Sequence, residues 1–449
     1  MREVLARDVG CAVLGAGVSG SAAVRHLCAR GRAPLVVDEN PEALEAIARS
    51  HPEITCGSEL SVDTLAGIGE LVVSPGVDTE RPVFRELRDR GVRLISEVDL
   101  FARSLPEGAR VAAVTGTNGK STVTEMLHRC TAESGQRSAL GGNLETAAVE
   151  LLERPADLYI LELSSFQLQH VHSLRPQVAC VLNVTADHLD RHGSLERYRN
   201  AKHRIYQNAG CAVSNRDDIL TQPLLPLSVR QVTFGRGIPD PGHWGLDLED
   251  EHICLGFEPI LARTDLKQDS PIGCANAMAV LALADALGLD RGAVLRVLGS
   301  FEPLPYRFAR TARIGGIDFI NDSKATNPAA TQMALGALPD GRVRLICGGA
   351  GKGLDYRMLR PLLSAKLAQM LALGEQAAAL MGLLEGTGIP VQRCTDMHQA
   401  VRTAAASAAP GDTVLLSPAC SSFDQYAGYA ERGAAFDAAV KALAGEQAR

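Results

Sequence analysis

Paired cysteines, basic runs and long apolar stretches are all missing from this sequence, and each absence removes a class of protein. The eleven cysteines stand singly, at 11, 28, 56, 130, 180, 211, 254, 274, 347, 394 and 420, with no C-x-x-C pair among them. That spacing argues against a zinc cage, fits a reducing cytoplasm and makes most of them small core residues. No polybasic stretch offsets the net charge of −7, so neither nucleic acid nor an anionic membrane surface is an expected partner. No run of about 20 apolar residues could span a bilayer. The first ten residues, M-R-E-V-L-A-R-D-V-G, carry neither the basic flank nor the apolar run of a secretory leader. A cytoplasmic protein is expected. The rest is ordinary for a globular chain, with 46% hydrophobic and 22% charged residues over 449 positions. At roughly 150 residues per domain, that length predicts about three domains.

The recurring pattern is a short apolar run, a glycine-containing turn and a helix-like stretch. It appears at Cys11–Leu14, Leu35–Val37, Leu71–Val73, Val111–Val114, Leu158–Leu163, Val178–Leu182, Arg344–Cys347 and Thr413–Leu416. Short β-rich runs alternating with helices predict an α/β protein with parallel sheets. Three blocks follow, at 1–97, 98–303 and 304–449. Within the second, 221–272 is rich in Pro, Gly and Asp and predicts short strands and turns. Helical periodicity returns at Ala275–Leu287, and an Ala-rich segment closes the chain at 433–447.

Two glycine turns stand out. Val-Ala-Ala-Val leads into Thr115-Gly116-Thr117-Asn118-Gly119-Lys120-Ser121-Thr122, with a helical stretch after it. Such a turn aims backbone N–H groups and a helix N-terminus at an anion. The glycines allow close backbone approach, Lys120 adds a mobile charge, and Ser121 or Thr122 can hold Mg²⁺. The strict phosphate-loop pattern needs Gly at 114, where this chain has Val. The other turn, Gly15-Ala16-Gly17-Val18-Ser19-Gly20, follows a strand, with Asp38 closing the next. Alone it fits any diphosphate, a nicotinamide dinucleotide or a UDP group alike.

Polar clusters follow several other strands. Glu162 sits in E-L-S-S-F-Q at the end of one, and Asp187-His188 follows another. In the last block come Asn321-Asp322-Ser323-Lys324-Ala325-Thr326-Asn327, Gly348-Gly349-Ala350-Gly351-Lys352-Gly353 and Ser417-Pro418-Ala419-Cys420-Ser421-Ser422-Phe423-Asp424. Each by itself reads as a cap or turn. Their recurrence after strands, where α/β sheets place ligands, favours a shared site.

The combination resembles the Mur ligases, and within them the glutamate-adding branch. The segments that carry the resemblance are T-G-T-N-G-K-S-T at 115–122, G-G-N at 141–143, E-L-S-S-F-Q-L at 162–168, D-H-L-D-R-H at 187–192, N-D-S-K-A-T-N at 321–327 and S-P-A-C-S-S-F-D-Q at 417–425. The resemblance implies a Rossmann-like UDP-binding domain, a central P-loop ATPase-like domain and a Rossmann-like C-terminal domain. It implies a monomer that joins glutamate to UDP-MurNAc-L-Ala, using ATP and two Mg²⁺ sites. Gly116, Thr117, Asn118, Gly119, Lys120, Ser121, Thr122, Asn276, Arg307 and Asp322 would bind ATP. Gly15, Ala16, Gly17, Val18, Ser19, Asp38, Glu39, Ser74, Asn143 and Ser164 would hold the UDP substrate. Thr326, Lys352, Ser422, Phe423 and Tyr429 would receive glutamate. Metal would fall to Ser121, Glu162, His188 and Lys202, the last as a carbamylated lysine. Lys120, His188, Lys202 and Lys324 would serve the chemistry. Some positions depart from the family pattern. Of its adenine-side motif only Asn276 is kept, Glu39 and Asn40 replace Thr and Arg, and Tyr429 stands where Phe is frequent.

Rival readings are another ligase of the superfamily, a nicotinamide-dependent oxidoreductase, and a scaffold that keeps the fold without turnover.

Overall fold

A computed structural model of the chain describes residues 10–447. The expectation that the first ten residues are not a secretory leader concerns residues that lie, apart from Gly10, outside those described. Three α/β domains are present, each built on its own main sheet, and they group into two compact units.

The first unit holds two parallel sheets. Strands β1 (Cys11–Leu14), β2 (Leu35–Val37), β3 (Thr55–Gly57), β4 (Glu70–Val73) and β5 (Arg93–Ile95) run in the order β3-β2-β1-β4-β5. Helices cover them on both faces, so β1 and β2 are buried along their whole length. β1 lies between β2 and β4, the point where strand order reverses and α/β sheets open a crevice. The second sheet comprises β6 (Arg110–Thr115), β7 (Ser138–Gly142), β8 (Leu158–Glu162), β9 (Val178–Val181), β10 (Cys211–Asn215) and β11 (Arg230–Phe234), ordered β11-β10-β9-β6-β8-β7. Here β6 lies at the reversal, between β8 and β9. The Pro- and Gly-rich segment adds a three-stranded antiparallel sheet of β12 (Trp244–Leu246), β13 (His252–Leu255) and β14 (Glu258–Ala262).

Buried carboxylates of the helix Glu97–Arg103, which follows β5, tie that helix to the central domain. Asp99 accepts the N–H groups of His172 (2.9 Å) and Ser173 (2.6 Å). Glu97 accepts the N–H of Val149 at 3.3 Å. Burial pushes the Glu97 carboxyl up to about 7, against the pull of its hydrogen bonds.

The second unit carries a mixed sheet of β15 (Ala309–Ile314), β16 (Ile317–Asn321), β17 (Val343–Gly348), β18 (Leu367–Leu373), β19 (Val391–Arg393) and β20 (Thr413–Leu416), ordered β15-β16-β20-β17-β18-β19. Only β15 runs antiparallel. Apolar clusters pack both faces, one around Leu345, Leu363 and Met370, the other around Phe319, Val401 and Phe436. The closing helix, Tyr429–Gln447, supplies Phe436.

Nine of the eleven cysteines are buried, and all are free thiols; Cys28 and Cys56 are partly exposed. Among the described residues no helix is long and apolar enough to cross a membrane.

Candidate active site

The turn after β1 is held from two sides. The Ala16 N–H donates to Asp38 Oδ2 at 2.5 Å, and the Asn40 N–H to Asp38 Oδ1 at 2.7 Å. Ser74, at the end of β4, donates its hydroxyl to the Gly15 carbonyl at 2.9 Å. A side chain on Gly20 would meet that carbonyl oxygen at 1.7 Å, so the helix starts this close to the turn only because Gly20 has none. Asp38 thus shapes the turn, and Gly17, Val18 and Ser19 are left at least partly open to solvent. Gly15, Asp38, Glu39, Gly76, Val77 and Arg81 help line a cavity of about 290 Å³. Glu39 pairs with Arg81 across it at 3.0 Å.

The phosphate loop leaves β6 at its own reversal point. Gly119 is the residue before the helix Lys120–Glu133, with φ of 84°, which L side chains rarely adopt. A Cβ there would also sit 2.8 Å from Asn276 Oδ1, so Asn276 lies against the loop itself. Lys120 Nζ donates back to the carbonyls of Gly116 (2.9 Å) and Thr117 (3.0 Å). Ser121 donates its hydroxyl to Glu162 Oε2 at 2.5 Å, and Asn143 Nδ2 donates to Glu162 Oε1 at 2.9 Å. Thr122 is buried in the first turn of the same helix. Lys202, 1% exposed, donates to the Gly116 carbonyl at 2.8 Å and stands 4.5 Å from the centre of the Tyr198 ring. Ser164 caps the short helix after β8 by accepting the Gln167 N–H. Lys120, Ser121, Asn143, Glu162, Lys202 and Asn276 therefore gather around one loop.

Asn183 was not among the expected site residues. Its amide clasps the loop, accepting the Asn118 N–H (2.8 Å) and donating to the Asn118 carbonyl (3.1 Å). The available signal was its position directly after the apolar run Val178–Leu182.

In the second unit the loops after β16, β17 and β20 emerge from neighbouring parallel strands at the same C-terminal end of the sheet. Asp322 accepts the Phe308 N–H and the Ser417 hydroxyl, each at 3.0 Å. Burial pushes its carboxyl up to about 7 although Arg307 pulls the other way. Lys324 Nζ lies 3.9 Å from the centre of the Tyr429 ring, within cation–π range. Ser323 donates its hydroxyl to the Tyr429 carbonyl at 2.8 Å. Thr326 N–H bonds the Lys324 carbonyl at 2.8 Å. Ser422 is buried, whereas the Phe423 ring is exposed.

His188 belongs with this unit, with a left-handed backbone (φ 53°) and its ring beside Asp187. Asp187 also takes Lys352 Nζ and Asn327 Nδ2, each at 3.1 Å. Burial alone would raise its carboxyl; the charges of Lys352 and His188, with the Lys352 and Asn327 bonds, hold it below the usual carboxylate range. Asp187 stands in the D-H-L-D-R-H motif, but the sequence alone assigned it no role.

A further omission is Arg432. It is 3% exposed and makes six hydrogen bonds, to Ser323 Oγ and to the carbonyls of Ser323, Gly348, Cys420 (twice) and Ser421. It ties all three loops together. Burial lowers its guanidinium to about 10, which leaves it charged at neutral pH.

Comparison with known proteins agrees along the whole chain. Residues 10–96 match the Mur ligase MurD-like N-terminal domain, 114–257 the Mur ligase middle domain, and 306–420 the Mur ligase glutamate ligase domain. The UDP-N-acetylmuramoylalanine--D-glutamate ligase of Pseudomonas fluorescens is 40% identical over 451 residues, covering 98% of this chain and 100% of that one. The enzyme of the same name from Methylococcus capsulatus is 40% identical over 437 residues, 96% of this chain and 94% of that one. Among solved structures, the UDP-N-acetylmuramate-alanine ligase MurC of Thermotoga maritima gives a TM-score of 0.59 at 20% identity, covering 96% and 99% of the two chains. The MurF ligase of Thermotoga maritima, in complex with ADP, gives 0.58 at 18% identity, covering 92% and 96%. The likeness to these two is one of fold, while the sequence matches go further: the chain belongs to the Mur ligase family.

Proposed function

We propose that this chain joins D-glutamate to the alanyl carboxylate of UDP-N-acetylmuramoyl-L-alanine at the expense of ATP, a step of peptidoglycan precursor synthesis. The observation that carries the reading is the phosphate loop at the β6 reversal, with Lys120 and the Ser121–Glu162 pair, in a chain 40% identical to ligases of that name.

A carboxylate is inert to amines, so it must be activated. Its oxygen attacks the γ-phosphorus, the bond from that phosphorus to the β-bridging oxygen breaks, and ADP leaves. The glutamate nitrogen, after losing its ammonium proton, then adds to the carbonyl carbon, and the tetrahedral adduct loses a second nitrogen-bound proton and expels phosphate to leave an amide, the protons passing to phosphate and solvent. Two anions must approach in the first step, so positive charge and fixed geometry carry the catalysis. Lys120, anchored on the loop carbonyls, is assigned to the transferred phosphoryl group. The Ser121 hydroxyl and Glu162 carboxylate are hard oxygen donors that fit Mg²⁺, which when bound neutralises phosphate charge. His188 is assigned to a second Mg²⁺. Lys202 is assigned as a carbamate, which would exchange its buried positive charge for a metal-binding anion. Asp322 and Arg307 take the nucleotide side; Thr326, Lys352, Ser422, Phe423 and Tyr429 take glutamate, with Lys324 beside them. Gly15 to Ser19, with Asp38, Glu39 and Ser74, take the UDP group, and Asn143 and Ser164 the muramoyl end. The domains are drawn at 1–97, 98–303 and 304–449, and the enzyme acts as a cytoplasmic monomer.

The test is phosphate release from ATP with Mg²⁺ and UDP-MurNAc-L-alanine, supplying D-glutamate, L-glutamate, lysine or diaminopimelate in parallel. Release with D-glutamate alone is expected. Release with another amino acid would reassign the step, and silence with all four would overturn the reading.

A further inference from the structure

At the far end of the first sheet, three side chains of different chemistry meet outside the machinery described above. The helix Val18–Cys28 starts at the nucleotide turn and runs back along the sheet, so Cys28 lies by the N-terminal ends of the strands. The helix Pro41–Ser50 does the same, and His51 caps its C-terminus shortly before β3. Glu53 follows in the connecting loop. One ligand atom from each of Cys28, His51 and Glu53 lies within 4.8 Å of both others. His51 Nδ1 and Glu53 Oε1 are 3.5 Å apart. Metal–ligand bonds of about 2.1 Å in a tetrahedron put neighbouring N and O ligands roughly 3.4 Å apart.

We propose that Cys28, His51 and Glu53 form a binding site for a borderline-soft divalent transition ion, of the zinc or cobalt class, that staples the two helix ends of the N-terminal domain. The donor set selects the ion. Thiolate and imidazole favour zinc and cobalt over magnesium or calcium, which take oxygen alone. Charge also closes: one thiolate and one carboxylate neutralise a dication, and the imidazole binds neutral. Without metal the Cys28 thiol donates to Glu53, and burial, with the neighbouring carboxylate, keeps it protonated. Binding forms the sulfur–metal bond and releases that single proton to solvent. The three protein ligands leave the fourth tetrahedral position to water. Entry is open, since the His51 and Glu53 side chains are 21% and 54% exposed. The absence of any C-x-x-C pair therefore does not exclude a transition-metal site, because these ligands come from two helix ends and a loop.

Cobalt(II) titration of the full chain is the direct probe, since a thiolate ligand gives a near-ultraviolet charge-transfer band and a tetrahedral site gives visible bands. One equivalent is expected to bind wild type with both signals, to be displaced by zinc(II), and to raise the first melting transition. Cys28→Ser should lose the charge-transfer band. His51→Ala and Glu53→Gln should bind at least about ten-fold more weakly, since even outer-shell losses cost that much at metal sites. Glu53 lies at the surface, so Glu53→Gln keeps the fold and isolates the ligand effect. Ligation with Mg²⁺ should be unchanged in all three, because the cluster lies at the opposite end of the sheet from the Gly15 turn. A band that persists in Cys28→Ser would assign the thiolate to one of the other ten cysteines and overturn the proposal. So would wild type without a band, or equal affinity in His51→Ala and Glu53→Gln.

Discussion

Arg432 offers the sharpest test of how the C-terminal domain holds its site. Its guanidinium spans Ser323, Gly348, Cys420 and Ser421, the loops after β16, β17 and β20, with bonds of 2.9 to 3.5 Å. Arg432→Met keeps length and apolar volume but leaves several buried carbonyls unpaired. Each lost bond to a charged donor costs about 1.5–3 kcal/mol, less what the methionine recovers by packing and by shedding a buried charge. The longest of the six, at 3.5 Å, contributes little, so a net loss of about 4 kcal/mol is expected. Arg432→Lys keeps the charge but has three donors on a point ammonium, which cannot bridge all three loops. It should lose about half as much. Urea unfolding of both variants measures this. Kinetics supply the independent readout: KM for glutamate should rise in both variants while affinity for the UDP substrate, assigned above to the N-terminal domain, should stay constant. Arg432→Met within about 1 kcal/mol of wild type, with an unchanged glutamate KM, would refute the clamp.

Other substitutions probe the remaining groups. Glu97→Gln should reveal a pH-dependent penalty. The folded carboxyl, near 7, lies above the ordinary value of 4.5 for a glutamate, so its contribution is most favourable below about 4.5 and is lost as pH rises through 7. The variant should therefore be more stable than wild type by up to about 3 kcal/mol at pH 8, a gap that closes towards pH 4.5; a pH-independent difference in thermal unfolding would contradict this. Lys120→Ala should cut ATP-dependent phosphate release by at least about 100-fold with unfolding unchanged, and near-normal turnover would remove Lys120 from the chemistry. Asn183→Ala loses both bonds to Asn118 and should cost about 1–2 kcal/mol while raising KM for ATP, read from unfolding and initial rates. Loss of stability without a KM change would make Asn183 merely structural.

The strands legible in the sequence are those buried on both faces, where an uninterrupted apolar run is the only composition the position tolerates. β1, β2, β6, β9 and β20 are of this kind. Others escaped for identifiable reasons. β18, Leu-Ala-Gln-Met-Leu-Ala-Leu, consists of strong helix formers, yet pairing with β17 and β19 makes it a strand. β3 and β19 are short edge strands with little burial and no apolar signature. The site divides in a similar way. Lys120, Ser121 and Glu162 are expected together because a glycine turn read for phosphate chemistry calls for those residue types, and the structure brings them around one loop. Arg432 is not expected, because its role depends on three loops more than 80 residues earlier or about ten residues earlier in the chain, and nothing in an Ala-rich helix announces it.

A common device links the three sheets. Each loop expected to meet a ligand is fixed by a polar group from outside that loop: Ser74 and Asp38 on the first turn, Asn183 on the phosphate loop, Arg432 on the C-terminal loops. Loops with many glycines lose much entropy on ordering, and a loop ordered only by its ligand would subtract that cost from affinity. Holding the backbone beforehand leaves more binding energy for the transition state. The anchors need only one donor or acceptor at the right point, so their residue types are dictated by the backbone atom they reach and not by the substrate. That explains why they lie outside the motifs that identify the chemistry. It also implies that substitutions far from any reacting atom can raise KM for one substrate while sparing the others, according to which loop they release.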